Sequence, residues 1–139
     1  MEYTYCPMSI DEYDEMYAMW ESIPGIALSK ADSKENIDAY LLRNQGQSYV
    51  CRANGKMVGT ILCGNDGRRV YIHHMAVAPE HRRHGIATKL VQLALDAQRE
   101  CGMTKCHLFI FTQNDSGKSF WRKIGFGERH DICIMSMDL

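Results

Sequence analysis

The chain has 139 residues, the length of one domain, and with 45% hydrophobic residues it can bury a core. Its formal net charge of −1 gives no global electrostatic basis for holding nucleic acid. No run reaches the roughly 18–20 apolar residues of a membrane span, and the start, Met1-Glu2-Tyr3-Thr4, carries no basic n-region or apolar h-region, so neither a membrane segment nor a signal peptide is expected.

Six cysteines, at positions 6, 51, 63, 101, 106 and 133, include no Cys-x-x-Cys pair and lie mostly in apolar stretches. Free cysteine behaves there as a small hydrophobe. A zinc or disulfide framework is therefore not expected, and a reducing cytoplasm fits.

In chain order, residues 2–6 form a short strand candidate. Ser9 stands three before Glu12, a capping-box spacing, and Ile10, Tyr13, Tyr17 and Trp20 recur at helical intervals, predicting a helix over Ser9–Ser22 that Pro24-Gly25 breaks. A second helix opens at Asp32 or Ser33, with Ile37, Tyr40 and Leu41 as its stripe and Gly46 past its end. Residues 48–53 and 56–63 read as strands joined by Asn54-Gly55, a hairpin turn in which both positions tolerate positive φ. Gly64 to Gly67 turns the chain into a strand over residues 69–77. A long amphipathic helix follows from about Gly85 to Glu100, lined by Ile86, Leu90, Leu93, Ala94 and Ala97. Residues 105–111 predict a fifth, central strand, and residues 114–124 a last helix stopped by Gly125. The tail supplies one or two more strands around Ile132–Met137. With no repeat, linker or low-complexity tract, residues 1–139 read as a single domain. Strand, turn, helix and strand in succession imply a crossover and parallel neighbours. The class is therefore α+β, with a mixed, mostly antiparallel central sheet and about four helices.

The organising stretch is Tyr71 to Ala87. Its first half is apolar and partly β-branched, and Pro79 ends it because proline has no amide to give a ladder. In its second half Gly85 opens a helix whose first amides lack partners and whose dipole is positive, an arrangement that suits a phosphate. There is no Gly-x-Gly-x-x-Gly and no Gly-Lys-Ser/Thr, which argues against Rossmann and P-loop alternatives.

Arg82-x-x-Gly85-x-Ala87, behind a strand ending Ala76-Val77-Ala78-Pro79, resembles the pyrophosphate signature of GCN5-related N-acetyltransferases (the GNAT superfamily), and the order of elements is similar over essentially the whole chain. The resemblance implies that main-chain groups of Met75, Ala76 and Val77 hold the pantetheine arm of acetyl-CoA, with the Val77 amide polarising the thioester carbonyl. It implies that the amides of Arg82, Arg83, His84, Gly85, Ile86 and Ala87, helped by Thr88, cradle the pyrophosphate. The plainer reading of the basic run is a solvated helix start or a weak nucleic-acid patch. Asn114, and Trp121 ahead of Gly125-Phe126, stand where relatives carry Asn and then Tyr. Asn114 implies a bond to pantetheine or the adjacent backbone, or else a helix cap. An indole N–H is no general acid, so Trp121 can shield the sulfur but cannot protonate it.

Some relatives place a catalytic glutamate at the position of Tyr71. Others, resembling arylalkylamine acetyltransferases, place histidines at the positions of Tyr71 and His73. Period-two alternation sends Tyr71, His73 and Met75 to one face and Ile72, His74 and Ala76 to the other, subject to the bulge that the resemblance implies in this strand. His73, with an intrinsic pKa near 6.5, is the first candidate for base or water relay, against a satisfied sheet histidine; His74 is the second. As neighbours on a strand they diverge, so no metal site is expected. Glu21, Ser29, Lys30, Asp32 and Glu35, between or on the first two helices, touch an acceptor or simply face solvent. His107 and Phe109 read as core or cleft wall, and Arg129 with Asp131 as a surface pair or an acceptor contact. The implied activity is direct acetyl transfer from acetyl-CoA to a primary amine of a small molecule. A protein N-terminus or lysine is the rival acceptor, and a catalytically silent acyl-CoA-binding module the rival function. The expected partners are acetyl-CoA and an amine, with no nucleic acid and no membrane, in a monomer or homodimer.

Overall fold

A computed structural model describes residues 2–139, and the chain divides into two compact units with the boundary between Phe109 and Ile110. The first unit holds a five-stranded sheet. β1 (Tyr3–Pro7), β2 (Tyr49–Ala53), β3 (Lys56–Asn65) and β4 (Val70–Val77) form an antiparallel meander, and β5 (Cys106–Leu108) joins β4 in parallel, so strand order follows chain order. Asn54 (φ 52°) and Gly55 (φ 78°) make the tight turn that sets the β2–β3 register.

Helices α1 (Tyr13–Ser22) and α2 (Lys34–Arg43) cover one face, where Met16, Trp20, Ile37, Val50, Leu62 and Ala76 share a core. Helix α3 (Ile86–Glu100) covers the other face and buries Ile86, Leu90, Val91 and Ala94. It lies close because β3 has a glycine beneath it: a Cβ at Gly59 would stand 2.9 Å from Ile86 Cγ2 and 3.2 Å from Leu90 Cδ1.

Helix caps depart from expectation in one place. Ser9 Oγ takes the Asp11 amide (3.2 Å) and opens only a 3-10 turn, Ile10–Glu12, because the Glu12 carboxylate is drawn to Arg52. The reciprocal capping box forms instead at Ser29 and Asp32, and Ser33 caps α2 through the Asn36 amide.

The second unit contains α4 (Asp115–Ile124), closed by Gly125 (φ 124°) with the Phe126 amide bonded back to Trp121 O at 3.0 Å. Two expectations fail. β5 is the edge of the sheet, paired over Cys106–Leu108 alone, and residues 132–137 form no strand. Alternation gives a segment a strand-like pattern, but a ladder needs a neighbouring backbone, and Ile132, Ile134, Met135 and Met137 are exposed.

Candidate active site

The geometry begins with a bulge. Leu62 lies opposite His74 and Cys63 opposite Ile72, so His73 is an extra residue on β4. Residues directly opposite in a ladder share a face. Cys63 Sγ meets Gln98 of α3 at 3.6 Å, which puts Ile72 on the α3 side; Leu62 belongs to the α1–α2 core, which puts His74 there. Tyr71 is opposite Gly64, whose missing Cβ points at Tyr40 and Asn44 of α2. Val77 is opposite Gly59, whose missing Cβ points at α3. The expected alternation is therefore corrected: Tyr71, His73 and His74 all face α1 and α2, and Met75 parts from them.

The bulge also marks where the sheet opens. β4 pairs with β5 from Val70 to Ile72 and not beyond. On its other side the Ala78 amide donates to Val58 O at 2.8 Å. Antiparallel alternation then directs the amide and carbonyl of Ala76 to Thr60, and turns those of Met75 and Val77 to the side β5 has left. Ala76, expected among the pantetheine-binding groups, has its main chain engaged by β3; Met75 and Val77 do not. Arg82 Nε donates to Val77 O (3.2 Å), leaving the Val77 amide.

Beyond β4, the 3-10 turn Pro79–His81 leads to Arg83 (φ 66°) and Gly85 (φ 77°), both left-handed. Gly85 caps α3 without a side-chain bond, no acid stands in the first helical turn, and Lys89 is the first amide to reach back, to Gly85 O at 3.0 Å. The amides of Gly85, Ile86, Ala87 and Thr88 therefore have no acceptor within the helix. A Cβ on Gly85 would meet nothing within 4 Å, so the space beside the helix start is open at that residue. The residues present fit a diphosphate: donors, a favourable dipole, no carboxylate and no blocking side chain. The side chain of Ile86 is core, so only its amide is available. His84 Nδ1 donates to His81 O (3.1 Å), and His81 Nδ1 bonds the Tyr3 hydroxyl (3.1 Å), tying the loop to β1.

His73 sits among rings, with Tyr71 stacked at 6.3 Å and Tyr40 edge-on at 5.7 Å; Tyr71 in turn contacts His107 (5.7 Å) and Phe109 (6.0 Å). Part of His73 stays open to solvent. Desolvation by these neighbours, and next the adjacent His74, draw its pKa below the ordinary 6.5. His74 Nε2 lies 2.7 Å from Asp32 Oδ1, and its ring packs 4.9 Å from that of Trp20. Asp32 is thus buried and bonded, neither solvated nor free for an acceptor. Sequence reasoning missed this pair, and the Tyr40–His73 contact, because no short-range pattern links residues about forty positions apart.

In the second unit Asn114 Oδ1 accepts the Gly117 amide (2.9 Å) and caps α4, and Trp121 packs edge-to-face with Phe120 (5.0 Å) and Phe126 (5.1 Å). Arg129 and Asp131 pair with each other at the surface (2.8 Å).

The sequence profile of the Acetyltransferase (GNAT) family matches residues 13–126. An acetyltransferase of Photorhabdus laumondii is 28% identical over 129 residues, covering 90% of this chain and 87% of its own. Among solved structures, AAC(6')-Iy bound to the bisubstrate analogue CoA-S-monomethyl-acetylneamine aligns over 100% of both chains with a TM-score of 0.78 at 15% identity. The ribosomal-protein-S18-alanine N-acetyltransferase of Escherichia coli aligns over 92% of this chain and 79% of its own, with a TM-score of 0.78 at 16% identity. At such identities the structural likeness concerns the fold.

Proposed function

The chain belongs to the acetyltransferase (GNAT) family, and from that premise we propose that it transfers an acetyl group from acetyl-CoA directly to the primary amine of a small molecule. The observation that carries the proposal is the parting of β4 from β5 after Ile72, which leaves the Met75 and Val77 main-chain groups without a strand partner on that side, on the strand that leads to the open amides of α3. The α3 amides and Gly85 hold the diphosphate, Arg82 braces Val77 O, and Met75 and Val77 pair with the pantetheine arm as a strand would.

Transfer then needs a neutral amine. His73, or a water that it holds, takes the ammonium proton; the freed lone pair forms the N–C bond at the thioester carbonyl. The Val77 amide donates to the oxygen that gains charge. As the carbonyl re-forms, the nitrogen passes its second proton to water, the C–S bond breaks and the electron pair leaves with sulfur. The thiolate, whose acid has a pKa of about 8.5, departs unaided and is protonated by water. Tyr71 lines the approach to His73.

The rings of Tyr40 and Tyr71 on two sides of the solvent-exposed His73 suit a compact amine. The two solved relatives named above act on unlike acceptors, one related to an aminoglycoside and the other a protein alanine, so the panel must contain both kinds. Three free cysteines at the surface, Cys6, Cys101 and Cys133, suit a reducing cytoplasm. The test pairs calorimetric binding of acetyl-CoA with thiol release over small amines and peptides. Binding with release to small amines is expected. Release to peptides alone would move the acceptor to protein, binding without release would leave a silent module, and no binding would overturn the proposal.

A further inference from the structure

One buried acid–imidazole contact joins pieces of chain that are far apart in sequence, beside the reacting strand. Asp32 ends the 3-10 turn Lys30–Asp32 between α1 and α2 and is 6% exposed. Its Oδ2 accepts the Ser29 amide at 3.0 Å, its Oδ1 meets His74 Nε2 at 2.7 Å, and its carbonyl accepts the Tyr13 hydroxyl at 2.6 Å. A carboxylate only accepts, so His74 Nε2 carries the shared proton. The His74 ring is further held against Trp20, whose Nε1 donates to Thr60 Oγ1 of β3 at 2.9 Å. Asp32 precedes Ser33, the cap of α2, and α2 carries the Tyr40 that meets His73 edge-on.

We propose that Asp32 and His74 are positioning residues, a latch that pins the α1–α2 segment onto β4 next to its bulge and so fixes His73 and Tyr40 relative to one another for transfer. The role of His73 is that of the preceding section, and the latch rests on it. A bulged residue has no opposite number in the ladder, so the orientation of His73 needs support from outside β4. Buried ion pairs add little net stability over well-packed apolar side chains, whereas their directed bonds define geometry.

The substitution His74→Gln keeps an N–H near the place of Nε2, while His74→Leu keeps bulk and removes the donor. With His74→Gln, acceptor KM is expected to stay within about threefold of the parent, whereas His74→Leu raises it roughly tenfold and lowers kcat. Calorimetric affinity for acetyl-CoA is unchanged in both. Amide exchange at Ser29 and at residues 73–75 quickens in His74→Leu and not in His74→Gln. If His74→Leu does not fold, Asp32→Ala replaces it, with exchange at Ser29 again expected to quicken. Loss in His74→Gln equal to that in His74→Leu would overturn the latch, because the imidazole itself would then be required. Parent-like kinetics and exchange in His74→Leu would overturn it as well. Should the parent enzyme acetylate no amine, the exchange readout still decides the latch, and only the transfer proposal falls.

Discussion

Tyr40 carries the one buried side-chain polar atom without a hydrogen-bond partner among the described residues, its hydroxyl, and burial pushes its pKa up. The ring serves the site by packing on His73; the hydroxyl serves nothing visible. Tyr40→Phe should therefore leave stability unchanged or raise it by about 1 kcal/mol in urea unfolding, since it removes a desolvated group and not a bond. A clear loss would mean that the hydroxyl is satisfied in solution. His73 has the opposite character, an open group with a depressed pKa. Because its folded value lies below the ordinary 6.5, it stays neutral to a lower pH than a free imidazole, and the unfolded chain binds its proton first. Stability from this residue is complete above 6.5 and erodes as pH falls below it. The acid limb of kcat/KM should have its midpoint below 6.5, and His73→Ala should abolish that limb. An unchanged profile would remove His73 as base. Neither feature was legible in sequence, where Tyr40 was a stripe residue and His73 one of two adjacent imidazoles.

At the scale of elements, the passage from β4 to α3 was legible because local chemistry alone dictates it: Pro79 cannot extend a ladder, and Gly85 takes a left-handed turn before an uninterrupted apolar stripe. The faces of β4 were not: the resemblance implies a bulge, but which residue is extra decides where the period shifts and is visible only against the partner strand. The tail strands failed for the same reason, a pattern without a partner. Helix α3 depends on β3 through Gly59, which has ordinary backbone angles and is small for steric reasons only. Gly59→Ala should lower stability by about 1–3 kcal/mol, as overpacking does, and should weaken coenzyme A binding by shifting the start of α3. Denaturant unfolding with calorimetry checks both; lost stability with intact affinity would show that the helix mouth is set from elsewhere.

For the whole molecule, the cysteines report which parts are closed. Cys51 and Cys63 are buried in the sheet, and burial pushes the Cys63 thiol up to about 12. Cys6, Cys101 and Cys133 are exposed. A maleimide at neutral pH should label these three in the native protein and reach Cys51 and Cys63 only after denaturation, read by peptide mass. Early labelling of Cys63 would mean that the sheet opens under α3.

The extra residue in β4 has a last consequence, one of parity. Upstream of it Ile72 looks toward α3; downstream of it His74 looks toward the opposite helices, so the two halves already alternate and the unmatched residue is added between them. Exchanging His73 for alanine keeps the count, so the protein should fold. Excising it would set Ile72 beside His74 with their faces already opposite, so the ladder would close into a regular strand and every other side chain would keep its present face. Circular dichroism should then show both the point variant and the deletion folded, so that at this spot the extra length serves the site and not the fold.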